Sequence, residues 1–341
     1  MRAPVPSFFL ALLTIWALSG HSVQGGTVVR LSNVSSDNAR SFYQDFNLAF
    51  AAYWKQKTGQ SVLINQSFGD SSAQSQSVAG GLNADVVTLE KPTDVDSLSQ
   101  NGQLLDAKWA ARLPDKSVPF TSTIVFLVRK DNPRGIRSWN DLVRSDVSVV
   151  TSSPRTSEVG RYSYLAAWGY ALKKSAGDEK QARRFVAGLF ANVPILDAGG
   201  SGAEATFATW GIGDVLLTYE SEAALIQEKF PKENFEVVLP PVSIRTQNVA
   251  AWLDHDVEHH DNEAVVRAYL DYLYSDEGQE LAAQHFFRPG NEAILARYSP
   301  RYKPLQLFTV DDVAGGWQKA QQVHFADGGI FDQIHHHYNF P

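Results

Sequence analysis

Thr27–Leu31 (TVVRL), Ser41–Gln56 (SFYQDFNLAFAAYWKQ), Ser61–Ile64 (SVLI), Ser71–Ala79 (SSAQSQSVA) and Ala84–Leu89 (ADVVTL) read in order as strand, helix, strand, helix, strand. In the second stretch Phe42, Phe46, Phe50, Tyr53 and Trp54 recur at helical spacing and form one apolar face. The serines of the fourth suit a helix N-terminus. Strands separated by helices imply a parallel sheet covered on its faces. Outward from this unit the pattern repeats. Thr121–Lys130 (TSTIVFLVRK) is a long strand stopped by Asn132-Pro133. Asp146–Val150, helices near Arg161–Lys174 and Glu179–Phe190, and the strand Val215–Tyr219 form a second α/β set. Phe235–Leu239 is a late strand, and Glu263–Tyr274 and Asp276–Phe287 are amphipathic helices. Two α/β sets joined by long strands predict two lobes around a cleft, at the carboxyl ends of the parallel strands.

Composition bounds the function. The chain has 341 residues, 44% hydrophobic and 20% charged, enough apolar surface for two packed lobes and too much for global disorder. A formal charge of −7 argues against a nucleic-acid binder held by a basic surface. The absence of cysteine excludes disulfides, thiolate metal sites and a cysteine nucleophile. Residues 1–25 read as a cleavable signal peptide. Phe8–Leu18 (FFLALLTIWAL) is an apolar run of 11 residues behind the single charge of Arg2, shorter than the roughly 20 residues needed to span a bilayer.

Motifs for nucleotide or metal chemistry are missing: no GxGxxG, no phosphate-binding loop, no HExxH. Gly199-Gly200-Ser201-Gly202-Ala203 falls one glycine short of a nucleophile elbow. His255 and His259 could share a helical face as metal ligands, but among Asp254, Asp256, Glu258 and Asp261 they read as a solvated polar loop. His335, His336 and His337 read as a frayed terminus. What remains is a set of strand-to-helix turns, at Asn33–Asp37, Gln66–Ser71, Ser152–Ser157 and Asp197–Gly200. Helix starts carry unpaired N–H groups and partial positive charge, so several converging on one cleft would hold an anion without cationic side chains.

Lys55–Ser67 (KQKTGQSVLINQS), Ala84–Leu89, Thr121–Lys130 with Trp139–Leu142 (WNDL), Tyr164–Leu172 (YLAAWGYAL), Gly211–Leu216 (GIGDVL) and Phe331–Ile334 (FDQI) resemble the periplasmic sulfate- and thiosulfate-binding proteins of ABC importers. The resemblance runs over essentially the whole exported chain. It implies an α/β, two-lobed periplasmic-binding-protein-like fold of type II. Residues 26–120 with 241–341 would form the N-terminal lobe, completed by C-terminal helices, and 121–240 the second lobe, with crossings near Pro119–Thr123 and Val238–Ile244. It further implies a periplasmic, monomeric, non-enzymatic carrier with no cofactor and no metal. Sulfate or thiosulfate would be its ligand and an ABC permease in the membrane its partner. A same-fold binder of a protonated or organic oxyanion is the alternative, with an enzyme or sensory module behind it.

By the same resemblance the ligand-binding residues are Asp37, Ser71, Ser157, Glu158, Val159, Gly200 and Tyr219. Three of these depart from the family pattern. Ser153–Arg161 (SPRTSEVGR) stands where the family has Asn-Pro-Lys-Ser-Ser-Gly-Gly-Ala-Arg, so Glu158 and Val159 replace glycines. Tyr219 replaces a tryptophan and would offer its hydroxyl as donor. Gly200 stands for an alanine. A carboxylate about 4 Å from a dianion would be repelled by roughly 8 kcal/mol at an effective dielectric of 20. Glu158 is therefore expected to turn outward to solvent, favoured by the helix dipole and held by Arg155 or Arg161.

Overall fold

The computed structural model describes residues 28–339; the signal segment lies outside them. Eleven strands form one continuous hydrogen-bonded ladder. They are β1 Val28–Ser36, β2 Ser61–Gly69, β3 Val86–Leu89, β4 Phe120–Val128, β5 Val149–Ser152, β6 Leu196–Asp197, β7 Val215–Tyr219, β8 Glu236–Val238, β9 Val242–Trp252, β10 Arg288–Pro289 and β11 Gln306–Phe308. The path runs β2-β1-β3-β9-β4-β7-β5-β6. β1 is parallel to β2 and β3, as the opening β-α-β-α-β pattern requires, and β9 closes against β3 antiparallel.

Continuity comes from two long strands that serve both lobes. Phe120–Thr123 of β4 pairs with Arg245–Asn248 of β9, and Ile124–Val128 then pairs with β7. β9 meets β11 through Val242–Ile244 and β3 through Val249–Trp252. The crossing in β9 thus falls at Arg245–Asn248, just beyond the expected Val238–Ile244.

Each lobe has apolar layers on both faces of its part of the sheet. In the first, helix α1 (Arg40–Thr58) lays Phe42, Phe46 and Phe50 against Tyr269, Tyr272, Phe120 and Phe287. The opposite face carries α2 (Ser71–Ala79) and α3 (Pro92–Gln100), with Val78, Val95 and Leu98 buried. In the second lobe Ile124, Phe126 and Val128 face one layer and Val125 and Leu127 the other. A strand buried on both faces reads as an unbroken apolar run, which is the composition of Ile124–Val128 in β4.

The C-terminal assignment needs correction. Helices Glu263–Leu273 and Asp276–Gln284 pack on the first lobe. Residues 306–339 do not. β11 pairs with the second-lobe end of β9, and Phe308, Val310, Trp317, Phe325 and Phe331 enter the second-lobe core beside the helix Glu158–Lys174. Two smaller expectations also change. Asp254–His260 is a helix, with His260 on Asp85 at 2.7 Å and His255 on Asp256 at 2.9 Å. The terminal histidines lie in the helix Ile330–Asn339, whose buried Phe331 and Ile334 anchor it. Among the described residues no helix is long and apolar enough to cross a membrane.

The C-terminal packing has a test. A Cβ on Gly169 would lie 2.4 Å from the Phe308 ring and 2.7 Å from Val313, whereas one on Gly188 would meet Val143 at an ordinary 3.5 Å. Gly169→Ala should lower stability by about 1–3 kcal/mol through overpacking. Gly188→Ala, in the helix Glu179–Ala191, should raise it by about 0.5–1 kcal/mol. Urea midpoints of the two variants should move in opposite directions; equal shifts would contradict the packing.

Candidate functional site

A cavity of about 550 Å³ lies where the lobes meet. Its walls come from the end of β1 and start of α1, the β2–α2 turn, the end of β3, the starts of the helices Glu158–Lys174 and Gly200–Glu204, and the end of β7. These are strand ends and helix starts, so the chain exposes backbone donors there. Of the expected residues, Asp37, Ser157, Glu158, Val159, Gly200 and Tyr219 line this one cavity.

Ser71 does not. It is fully buried, its hydroxyl donating to Asp94 Oδ2 at 2.7 Å and accepting from the Glu90 N–H at 3.0 Å. It ties α2 to the end of β3 and turns no hydroxyl to the cavity. Ser157 caps its helix, accepting from the Gly160 N–H at 3.4 Å and from the Ser152 hydroxyl at 2.9 Å. Asp37 is half exposed and pairs with Arg40.

Glu158 is the main correction. Its side chain is 3% exposed and points across the cleft, not to solvent. Lys91 of the other lobe, 4% exposed, reaches it at 2.6 Å, the Ser72 hydroxyl at 3.1 Å and Arg161 at 3.4 Å. Arg155 faces elsewhere, on Asp327 at 2.6 Å and Asp332 at 3.2 Å. The expectation failed because it weighed solvation against the dipole within one helix and omitted the opposite lobe. Lys91 supplies there a cation that the local sequence of the Glu158 helix does not contain. Burial raises the pKa of Glu158, but the hydrogen bond from Asp70 and the charges of Lys91 and Arg161 outweigh it and hold the carboxyl below its usual range.

Tyr219 is the second correction. Its hydroxyl donates to Glu90 Oε2 and so is engaged by protein. Glu90 also accepts the Tyr162 hydroxyl at 3.1 Å on its backbone carbonyl. Glu90 and Lys91, consecutive at the end of β3, therefore reach three second-lobe residues. Sequence reasoning missed them, although the rule that sites gather at carboxyl ends of parallel strands covers β3 as well as β1 and β2.

Asp70 was missed too. It caps α2, accepting from the Ser72 and Ala73 N–H groups at 3.2 and 3.4 Å. Burial and the neighbouring Glu158 push its pKa up to about 8. Burial, with Glu158 and Asp70 beside it, raises Glu90 far above its usual range. The three carboxyls therefore divide into an ionised Glu158, neutralised by Lys91 and Arg161, and two that favour the protonated form. Val159 and Gly200 explain each other: a Cβ on Gly200 would come within 3.3 Å of Val159, so the larger side chain at 159 leaves little room for alanine at 200. Among the described residues no cluster of three or more His, Asp or Glu could hold a metal ion.

The interlobe pair makes a stability prediction. Lys91→Met removes the nearer cation of a buried carboxylate, leaving Arg161 at 3.4 Å, and should cost up to about 3–5 kcal/mol. The double substitution Lys91→Met with Glu158→Leu should recover most of that loss, because a buried pair exchanged for apolar groups of similar volume is close to neutral. Chemical denaturation of both single variants and the double gives the coupling directly; additive losses would contradict the pairing.

Residues 38–288 match the family model described as bacterial extracellular solute-binding protein. The chain is 50% identical over 306 residues to a sulfate-binding protein of Salmonella typhimurium, covering 90% of this chain and 93% of that one. It is 48% identical to a thiosulfate-binding protein of Pseudomonas aeruginosa, covering 89% and 92%. The solved sulfate-binding protein SubI of Mycobacterium tuberculosis superposes with a TM-score of 0.75 at 28% identity, over 86% of this chain and 98% of that one. With two lobes, a cavity at their junction and relatives of this extent, the chain belongs to the bacterial extracellular solute-binding proteins.

Proposed function

We propose that the chain is the solute-capturing component of an ABC importer. It is exported to the periplasm behind the Phe8–Leu18 segment. It closes its lobes on an inorganic sulfur oxyanion, sulfate or thiosulfate, and presents the closed form to a membrane permease. The observation that carries this reading is the single cavity into which helix starts at Ser157–Val159 and Gly199–Ser201 converge with the β2–α2 turn of the other lobe. Oriented N–H groups of this kind neutralise an oxyanion without cationic side chains. The names of the relatives support the choice of ligand. Closure follows from binding only if the ligand touches both lobes, and the walls come from both. The carrier works as a monomer and performs no chemistry on its cargo.

A second reading, an oxyanion that carries a proton, is favoured by one observation: Asp70 and Glu90 both line the cavity. Calorimetric titration of the exported chain at pH 7 with sulfate, thiosulfate, phosphate and molybdate separates the two. The first reading expects one site per chain, with sulfate or thiosulfate at least about tenfold tighter than phosphate, a difference of about 1.4 kcal/mol. Phosphate binding tightest would replace it with the second. No heat with any of the four would remove both.

A further inference from the structure

Glu90 is held at its backbone and at one side-chain oxygen, and the residue is 6% exposed. Its backbone N–H donates to Ser71 Oγ at 3.0 Å and its carbonyl accepts from Tyr162 at 3.1 Å. Oε2 takes the Tyr219 hydroxyl, and Oε1 has no hydrogen-bond partner among the described residues, while the side chain lines the cavity. Such an oxygen either accepts from a ligand or carries a proton and donates to one. The charged and titratable groups around it come from several adjoining elements, and Glu222, on the helix Glu220–Lys229 that follows β7, lines the same cavity with its pKa pushed up to about 8 by burial. Asp70 stands in the β2–α2 turn, Lys91 and Asp94 follow β3, Glu158, Arg161 and Tyr162 lie on the Glu158–Lys174 helix, and Tyr219 ends β7. Lys91 and Arg161 are both engaged by Glu158, so neither cation is left to neutralise an ionised Glu90.

We propose that Glu90 is a ligand-binding donor, its carboxyl holding a proton on Oε1 and giving that hydrogen bond to an oxygen of the bound oxyanion. This rests on the sulfur-oxyanion reading above and adds the group that takes over the ligand contact expected of Tyr219. The arrangement conserves the hydrogens: Tyr219 donates to Oε2, and the carboxylic proton on Oε1 faces the ligand. Burial and the neighbouring carboxyls favour the protonated form, the one that can donate. As pH rises the proton is lost, and Glu90 changes from a donor to a charge of the ligand's own sign. Sulfate carries no proton in this range, so any pH dependence belongs to the protein.

The test is the dissociation constant of sulfate for the exported chain between pH 6 and 9.5, measured calorimetrically in buffers of different ionisation enthalpy. The expected profile is flat at low pH and falls toward about tenfold per pH unit on the alkaline side, with uptake of about one proton on binding there. Glu90→Gln keeps an N–H donor without a titrating proton, and should bind sulfate at least tenfold tighter than the wild type at pH 9.5. Asp70→Asn should keep the alkaline fall. A flat wild-type profile, an unchanged fall in Glu90→Gln, or a fall abolished by Asp70→Asn overturns the assignment. Should Glu90→Gln not fold, wild-type proton uptake that persists in both Asp70→Asn and Glu222→Gln decides the question, and uptake lost in Glu222→Gln overturns the assignment. Sulfate binding with a flat profile removes this inference alone; no sulfate binding at any pH removes the reading beneath it as well.

Discussion

Lys91 and Glu158, a buried ion pair at 2.6 Å, join the lobes across their cleft, and much of the site's electrostatics depends on it. Lys91 holds Glu158 ionised. Burial raises Asp70 and Glu90, and an ionised Glu158 beside them raises both further. The Ser72 hydroxyl belongs to the same group, receiving from Lys91 at 2.6 Å and lying 3.2 Å from Asp94. Taking two charges out of water is costly, and such pairs seldom add net stability over apolar groups of the same volume. Their use here is positional: the pair keeps Glu158 negative, and with burial it favours the neutral forms of Asp70 and Glu90.

The cavity therefore differs from one lined by helix starts alone. Donors that a bare turn would leave open are partly engaged by the chain itself, with Asp70 on the Ser72 and Ala73 N–H groups and Ser157 on Gly160. The Gly199–Gly200 start has no side-chain cap. Its backbone donors, like those at the starts near Asp37 and after Tyr219, have no side-chain substitute, and the small residue at 200 lets them sit beside Val159.

The mechanical frame comes from β4 and β9. Each runs from one lobe into the other as unbroken strand, and the shared segment, Phe120–Thr123 against Arg245–Asn248, is narrow. Movement of the lobes about such a segment is the hinge closure expected of binding proteins. The second lobe gains its cover from residues 306–339, which return across the junction after the first lobe is complete. The chain thus connects the lobes by a third segment, between the first-lobe helices and β11.

Local pattern was enough for the elements and for the class of fold. The α2 and β7 boundaries follow from a serine-rich start and an apolar run, and the cavity location follows from the position of strand ends. Six of the seven expected residues line the cavity because backbone turns place them there whatever their side chains do. Side-chain direction was decided only by the tertiary structure. Glu158 in its own helix has every local reason to face water, and Lys91 lies 67 positions earlier in the chain. Tyr219 is a free donor until Glu90 meets it from 129 positions away. The apolar face of residues 306–339 suits either lobe until β11 pairs with β9. Periodicity reports which face of an element is buried; what it is buried against is a long-range fact, set by which elements the topology brings together.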